Sequence, residues 1–373
     1  MILHIVADEK FIDSGSYLFE KVCPSENHYI ILKKKCQLKY IKNTKVQFIP
    51  TSMLFNRIFL KSLNKYDFVV LHYLDIKKKI LLLMAHSDIK FVWIGWGGDY
   101  YDNYLIKCSS DFLMTKTLSL FNNKTYTLRS LFLLKIEKLI DILFKKYFLR
   151  KIDFFAPVLE SEYTAMKQKF TFFRASYIDW NYGSYCYDDI NNNGLSLQGK
   201  NILVGNSATY ENNHIEILEQ LKKYDLKDSK IILPLNYGDM NYAIAIKNYC
   251  KKIDIMDKCI FLDTFILNEQ YQEIINSCRV VIMNHIRQQA LGTINLALFL
   301  GAKVFLNKES PIYSFYKNTK ATVYSIEDLD NKYLDSLTFE QKVKNKYIVK
   351  NNFGKLCMIK KTKNLVTKIK NGG

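Results

Sequence analysis

The stretch HIRQQALGTINLALFLGA (285–302) contains Arg287, one of six arginines in a chain of 373 residues with formal charge +18. Nearly all other cations are lysines, so an arginine in a polar turn is informative. Its planar guanidinium can grip a diphosphate with two parallel hydrogen bonds, which an ammonium cannot. A helix is expected to begin near Gln288–Gln289, with Gly292 and Thr293 in its first turns. Glycine there costs about 1 kcal/mol against alanine, which makes sense if a ligand lies on that face. His285 is a second candidate, although a loop histidine without a role would read the same way.

Other stretches carry similar chemistry. In NILVGNSATYENNHIEIL (201–218) an apolar run meets Gly205, Asn206 and Ser207, and a helix follows Asn212 and Asn213. Ser207 offers a hydroxyl and an N–H, and Asn212 or Asn213 can cap the helix that carries His214. Donors at a helix start favour an anion, yet a plain N-cap uses the same residues. NYGD (236–239) places Tyr237, able to stack on a base, beside Gly238, which permits close backbone approach. A simple turn is the alternative. In KESPIY (308–313), Glu309 can accept from ribose or sugar hydroxyls, or complement the dipole of a helix starting at Pro311. WIGWGGDYYDNY (93–104) offers Trp96 and Tyr101 as flat platforms for sugar faces. There Gly97 allows close approach, and Asp99 is a candidate general base. An aromatic-lined turn is the alternative.

These joints need a scaffold. Continuous apolar runs alternate with helical patterns, with strands expected at 2–7, 29–33, 46–50, 67–73, 90–96, 153–158, 173–178, 201–206, 230–235, 259–263, 279–284, 302–307 and 321–325. Runs without polar alternation suit strands buried on both faces, hence parallel sheets. DINNNGLSLQGK (189–200) is polar and precedes a fresh strand. The expected α/β architecture is two doubly wound parallel-sheet domains facing a central cleft. They are an N-terminal acceptor-side domain (1–188), a linker (189–199) and a C-terminal nucleotide-sugar-binding domain (200–340). A basic helical tail (341–373) follows, able to pack back on the first domain. In such sheets ligands sit at the C-terminal strand ends.

Composition narrows the classes. Hydrophobic residues make up 49%, which excludes a disordered chain. The positive charge suggests an anionic partner, with part of it attributable to compositional bias. The eight cysteines are scattered singly and form no CxxC, so no zinc site is expected. MILHIVADEK lacks the charge and apolar length of a signal peptide, and no apolar run is long enough to span a bilayer.

Taken together, WIGWGGDYYD, ILVGNSATYENNHIEIL, KIILPLNYGD and RQQALGTINLALFLGAKVFLNKESPIY resemble the bacterial 4-acetamido-4,6-dideoxygalactose transferases of enterobacterial common antigen and O-antigen synthesis. The likeness runs from about 90 to 315. It implies a GT-B fold and transfer of that sugar from a dTDP donor to an undecaprenyl-pyrophosphate-linked glycan. It further implies that Gly205, Asn206, Ser207, His214, Arg287, Gln288, Gln289, Gly292, Thr293, Asn307 and Glu309 line the donor pocket, and that Trp96, Gly97 and Asp99 face the reaction centre. The additional aromatic in GWGGDYY and the polar NHI before Arg287 depart from the family pattern, which bears on the acceptor.

Glycosyl transfer leaves a negative diphosphate. No DxD motif for a metal appears in the first domain, and DLD at 328–330 reads as a solvated turn. Arg287, Ser207 and helix N-termini are therefore expected to stabilise the leaving group without a metal or other cofactor. This requires residues 205–207 and 287 to be neighbours. Residues 127–151 read as a helix at an anionic membrane surface, or as a core helix with a solvated basic face. From Gln341 onward there are ten lysines and no acidic residue. The expected location is peripheral, on the cytoplasmic face of the bacterial inner membrane. Two rivals are a sugar-nucleotide epimerase or hydrolase of the same architecture, and a nucleic-acid-binding protein. Scarce arginine and the absence of a recognition motif argue against nucleic acid.

Overall fold

The computed structural model describes residues 1–105, 109–121, 128–183, 199–330 and 335–371. The apolar runs form two parallel sheets. The first is built from β1 (Ile2–Val6), β2 (Asn27–Leu32), β3 (Val46–Ile49), β4 (Phe68–His72), β5 (Phe91–Ile94), β6 (Phe154–Ala156) and β7 (Ser176–Tyr177). Its spatial order is β3-β2-β1-β4-β5-β6-β7. The second contains β8 (Asn201–Val204), β9 (Ile231–Pro234), β10 (Cys259–Leu262), β11 (Cys278–Met283), β12 (Lys303–Leu306) and β13 (Tyr324–Ser325), in the order β10-β9-β8-β11-β12-β13. β1, β4 and β5 are buried along their whole length. Covered on both faces, these strands have no need of a polar side, which is why their sequences do not alternate.

Both orders reverse at one place, between β1 and β4 in the first sheet and between β8 and β11 in the second. Helices leave opposite faces of a sheet on the two sides of such a switch point. Ligands of open α/β sheets bind beyond the C-terminal strand ends at such a point.

The chain folds as two units, and neither is one continuous stretch. Unit 1 comprises Met1–Lys107, Tyr126–Tyr185 and Lys355–Gly373; unit 2 comprises Cys108–Thr125 and Cys186–Gly354. This differs from expected boundaries at 188 and 340, for two reasons. Leu113 joins the apolar core of unit 2, and the helix Thr115–Phe121 is capped there by Glu216, which accepts from the N–H groups of Lys116 and Thr117 at 2.9 Å. The lysine-rich tail, in turn, is two helices. Phe339–Phe353 packs on Leu291–Leu300 in unit 2, whereas Lys355–Lys370 packs on Ile12–Val22 in unit 1 and buries Met358, Leu365, Val366 and Ile369.

Candidate active site

In unit 2 the loops after β8 and β11 meet at the switch point. The loop after β8 turns at Gly205, whose φ is +70°; a Cβ there would lie 2.4 Å from His214 Nε2 and 2.7 Å from Asn212 Oδ1. Glycine is required by its own neighbours, not by a ligand. Asn212 is the hub of the loop. Its Oδ1 accepts from Asn206 N–H at 2.9 Å and from His285 Nε2 at 2.8 Å, and its Nδ2 donates to the Thr209 hydroxyl at 2.8 Å and the Ser207 hydroxyl at 3.2 Å. The second partner of His285 Nε2, Asn206 Oδ1 at 3.1 Å, is also an amide oxygen. That nitrogen therefore carries the hydrogen. Burial, with the Arg287 charge beside it, holds His285 well below the usual imidazole range, so it is neutral.

Residues 205–207 and 287 are thus neighbours. Gln289 Nε2 donates to Asn206 Oδ1 and to the Thr209 hydroxyl, both at 3.2 Å. Arg287 lies beside Glu211 at 3.7 Å, with a side chain 14% exposed, and its Nη1 donates to Gln288 O at 3.2 Å. Three buried polar atoms here, His214 Nε2, Arg287 Nε and Gln289 Oε1, have no partner among the described residues. Buried polar groups are normally satisfied, so the rim has donor and acceptor capacity to spare.

Several expected roles change. Asn213 occupies the N-cap position of the helix His214–Leu221 but makes no capping bond. In the left-handed region at φ 48°, its side chain instead accepts from Met114 N–H at 2.8 Å and donates to the carbonyls of Phe112 and Asn284, each at 3.0 Å. His214 does not line a pocket. It is fully buried beneath the loop with Nδ1 3.2 Å from the Tyr242 hydroxyl, and burial lowers its pKa to about 3. Ser207 is also buried, its hydroxyl held by Asn212 and 3.2 Å from that of Thr209. Of the loop amides, Gly205 N–H goes to Ile282 O, Asn206 N–H to Asn212 Oδ1 and Ala208 N–H to Tyr237 O. Backbone donation to a diphosphate therefore cannot rest on this loop as a whole. Gln288 is buried as well.

The helix after Arg287 starts later than expected, at Leu291, because Ala290 is left-handed at φ 61°. Gly292 is exposed in its first turn, with nothing within 4 Å of where a Cβ would sit, and Thr293 is half-buried, its hydroxyl 3.2 Å from that of Tyr271. Tyr237 is 70% exposed. Gly238 serves the fold, since at φ +121° its Cβ would collide with Ala208 O at 2.5 Å. Asn307 donates to Asn284 Oδ1 at 2.9 Å and accepts from Glu309 N–H at 2.9 Å, while Glu309 is exposed just before the Ser310 cap. The accessible rim is thus Asn206, Arg287, Gln289, Gly292 and Thr293, with Tyr237, Asn307 and Glu309 on adjoining loops. Gly205, Ser207, His214 and Gln288 support it. Sequence reasoning missed Thr209, Glu211 and Asn284. The Asn212-Asn213 doublet was the available signal, because asparagine tolerates left-handed backbone and carries both donor and acceptor.

In unit 1 the turn after β5 overturns one assignment. Asp99 is completely buried. One carboxylate oxygen accepts from Trp93 Nε1 at 2.7 Å and Leu74 N–H at 2.9 Å, and the other from Trp96 N–H at 2.9 Å. Burial raises its pKa while these bonds pull it back. It anchors the turn and cannot reach a substrate proton, so it is not the general base. Tyr101 is 8% exposed and packs on Tyr100 at 5.2 Å, a wall and not a platform. Gly97 begins the turn, and its carbonyl accepts from Tyr101 N–H at 2.8 Å. Trp96 is half-buried among Phe11, Tyr73 and Tyr182.

Trp96 also heads a directional hydrogen-bond chain. Indole can only donate, so Trp96 Nε1–H gives to the Tyr182 oxygen at 2.9 Å. The Tyr182 hydroxyl then donates to His72 Nδ1, His72 Nε2–H donates to His4 Nδ1 at 3.0 Å, and His4 Nε2–H donates to Asn27 Oδ1 at 3.3 Å. Both imidazoles must be neutral for this order. Burial lowers His4 to about 3 and holds His72 well below the ordinary value.

Known proteins resemble this chain in part of its sequence and in its fold. Residues 188–349 match the family described as 4-alpha-L-fucosyltransferase, glycosyl transferase group 56. This chain is a glycosyltransferase. The match agrees with the 4-acetamido-4,6-dideoxygalactose transferase resemblance of the motifs. The glycosyltransferase also shares its fold with a glycosyltransferase from Rickettsia africae ESF-5 at TM-score 0.64 and 14% identity, covering 100% of this chain and 99% of that one. Sucrose-phosphate synthase from Thermosynechococcus elongatus superposes at 0.65 with 9% identity, covering 100% and 99%. Anabaena HepE, solved with UDP and glucose, superposes at 0.62 with 11% identity, covering 98% of each. The fold is GT-B, and the glycosyltransferase depends on a nucleotide sugar. Among the described residues, no group of three or more His, Cys, Asp or Glu could hold a metal ion, and no helix is long and apolar enough to cross a membrane.

Proposed function

We propose that the enzyme moves 4-acetamido-4,6-dideoxygalactose, or a related deoxyamino sugar, from a dTDP donor to an undecaprenyl-pyrophosphate-linked glycan. The observation that carries this reading is the meeting of the β8 and β11 loops at the switch point of the second sheet, with Arg287 and the start of helix Leu291–Leu300 on one rim. A guanidinium and a helix start supply positive charge where the diphosphate departs, which stabilises it without calling on a metal. Asn206 and Thr293 add donors, Gln289 Oε1 is left to accept from a hydroxyl, Tyr237 offers a face for the base, and Asn307 and Glu309 offer acceptors for hydroxyls. The group 56 match and the motif resemblance support the sugar. HepE was solved with UDP, so the nucleotide is the point to test. In a thermal-shift comparison, dTDP is expected to stabilise the protein more than UDP or GDP, and Arg287→Ala to abolish the shift while remaining folded. An equal or larger shift with UDP refutes the dTDP assignment.

A lipid-linked acceptor would bring the enzyme to an anionic membrane, at the cytoplasmic face of the bacterial inner membrane. The helix Leu128–Lys151 supports docking. Asp141 faces inward and pairs with the buried Lys79 at 2.7 Å, while Leu139, Ile142 and Leu143 are 55–66% exposed beside exposed Lys138, Lys146 and Arg150. An exposed apolar stripe edged by cations fits an interfacial helix better than a solvated basic face. Flotation with anionic vesicles but not neutral ones is expected; the absence of charge dependence refutes it.

A further inference from the structure

We infer that Glu9 is the general base that deprotonates the acceptor hydroxyl. This rests on the glycosyl-transfer reading and extends it to a residue that no motif picked out. The switch point of the first sheet lies between β1 and β4, so a ligand of this unit is expected beyond the ends of those strands. Glu9 is in the loop directly after β1, and its carbonyl accepts from Ile12 N–H at 3.1 Å. Phe11 from the same loop and Tyr73 after β4 pack on Trp96 at centroid distances of 5.6 and 5.3 Å. Tyr73 holds a left-handed φ of 66°, a strain that an aromatic residue adopts only when its surroundings impose it.

The neighbouring carboxylates are already committed. Asp8 accepts from the amides of residues 39, 40 and 41, and Asp13 from those of 42, 43 and 44. Asp75 caps a helix and holds Lys78 at 2.7 Å, and Asp99 is sealed in its turn. Glu162 holds Leu159 N–H and the Tyr100 hydroxyl, and Asp179 pairs with Lys361. Glu160 follows β6, two strands beyond the switch point, and is exposed. Glu9 is half-buried, and among the described residues its carboxylate receives the adjacent Lys10 N–H. Burial raises its carboxyl above the ordinary range, the Lys10 charge opposes this and the Asp8 charge reinforces it. A base poised in that direction suits neutral operation.

In the step, the acceptor oxygen forms a bond to C1 of the donor sugar and its proton passes to the Glu9 carboxylate. The C1–oxygen bond to the β-phosphate breaks, its electron pair leaves on dTDP, and Glu9 later returns the proton to water. The test uses dTDP-4-acetamido-4,6-dideoxygalactose with a detergent extract of bacterial membranes containing undecaprenyl-pyrophosphate-linked glycan. Glu9→Gln is expected to lower turnover about 10²–10⁴-fold, with melting temperature and dTDP-induced shift unchanged. Glu9→Ala is expected to recover turnover when formate supplies a carboxylate. Asp102→Asn, the control on the exposed carboxylate of the next turn, is expected to stay within about threefold of the parent, well short of general-base loss. Glu9→Gln turnover near normal, or the loss falling on Asp102→Asn instead, overturns Glu9 alone. A native chain that consumes no donor and shows no dTDP shift overturns the transferase reading together with it.

Discussion

Gly292→Ala separates a ligand's demands from the fold's at one atom. Gly292 is exposed in the first turn of helix Leu291–Leu300, its φ is not left-handed, and a Cβ would meet nothing within 4 Å. The free protein therefore has no steric reason to exclude alanine. Alanine is the better helix former by about 1 kcal/mol in a helix interior and by less at the first turn. A gain of that size raises the melting temperature of a domain this large by at most about 2–4 °C. If a donor phosphate seats on this helix start, the new methyl stands where its oxygens approach the backbone. Displacing the phosphate loses one charge-assisted hydrogen bond, about 1.5–3 kcal/mol, or roughly 10–150-fold in dTDP affinity. Calorimetric titration of native and variant protein with dTDP, beside melting curves without ligand, reads both quantities. An equal or higher melting temperature with weaker dTDP binding is expected. Affinity within about threefold of native would refute the placement of the diphosphate at this helix and leave Gly292 without explanation.

Two further perturbations test the buried groups. Asp99→Asn places an NH₂ among three donors that need acceptors, so it is expected to cost about 2–4 kcal/mol of stability and to show as a lowered melting temperature. A variant with native melting and abolished turnover would restore Asp99 as the base. The buried histidines make stability depend on pH. His4 and His214 have folded pKa values lowered to about 3, so below about 6.5 the unfolded chain binds protons that the folded chain refuses. Their stabilisation is complete above that pH and is lost as pH falls from about 6.5 toward 3, by about 2 kcal/mol each between pH 7 and pH 5. His72 and His285 shift in the same direction and steepen the loss. Urea midpoints that stay level between pH 7 and pH 5 would contradict neutral burial.

Strand positions were legible because a doubly covered strand has one requirement, a short unbroken apolar run, and the sequence states it directly. ILHIV, FVVLH and CRVVIM leave little choice. The rim around Arg287 was legible for a related reason. Arginine among lysines and glycine in a helix start are both departures from what folding alone favours, and such departures mark sites. What the sequence hid was the direction in which each polar side chain points. Asp99 and Glu9 are both carboxylates after apolar strands, and nothing local says that one is enclosed by Trp93, Trp96 and Leu74 while the other is half open. The docking of residues 109–121 on unit 2 was hidden too, since it depends on Asn213 and Glu216, about a hundred residues away.

The two sheets share one strand order and place their candidate groups at the same topological point, yet the chemistry there has opposite sign. The second sheet brings Arg287 and a helix start to its switch point, suited to receiving a leaving anion. The first brings Glu9 to its own, with Trp96 reaching in from the turn after the neighbouring strand β5 against Phe11 and Tyr73, suited to receiving a proton and a sugar face. Glycosyl transfer needs both, because an acceptor oxygen becomes a strong nucleophile only as its proton leaves, and a donor sugar departs only as its diphosphate is neutralised. An epimerase or hydrolase would need the anion-receiving rim of the second sheet without an acceptor surface. The half-buried Trp96, held by a chain of four further side chains ending at Asn27, has the fixed orientation that the acceptor face of the proposed transfer requires.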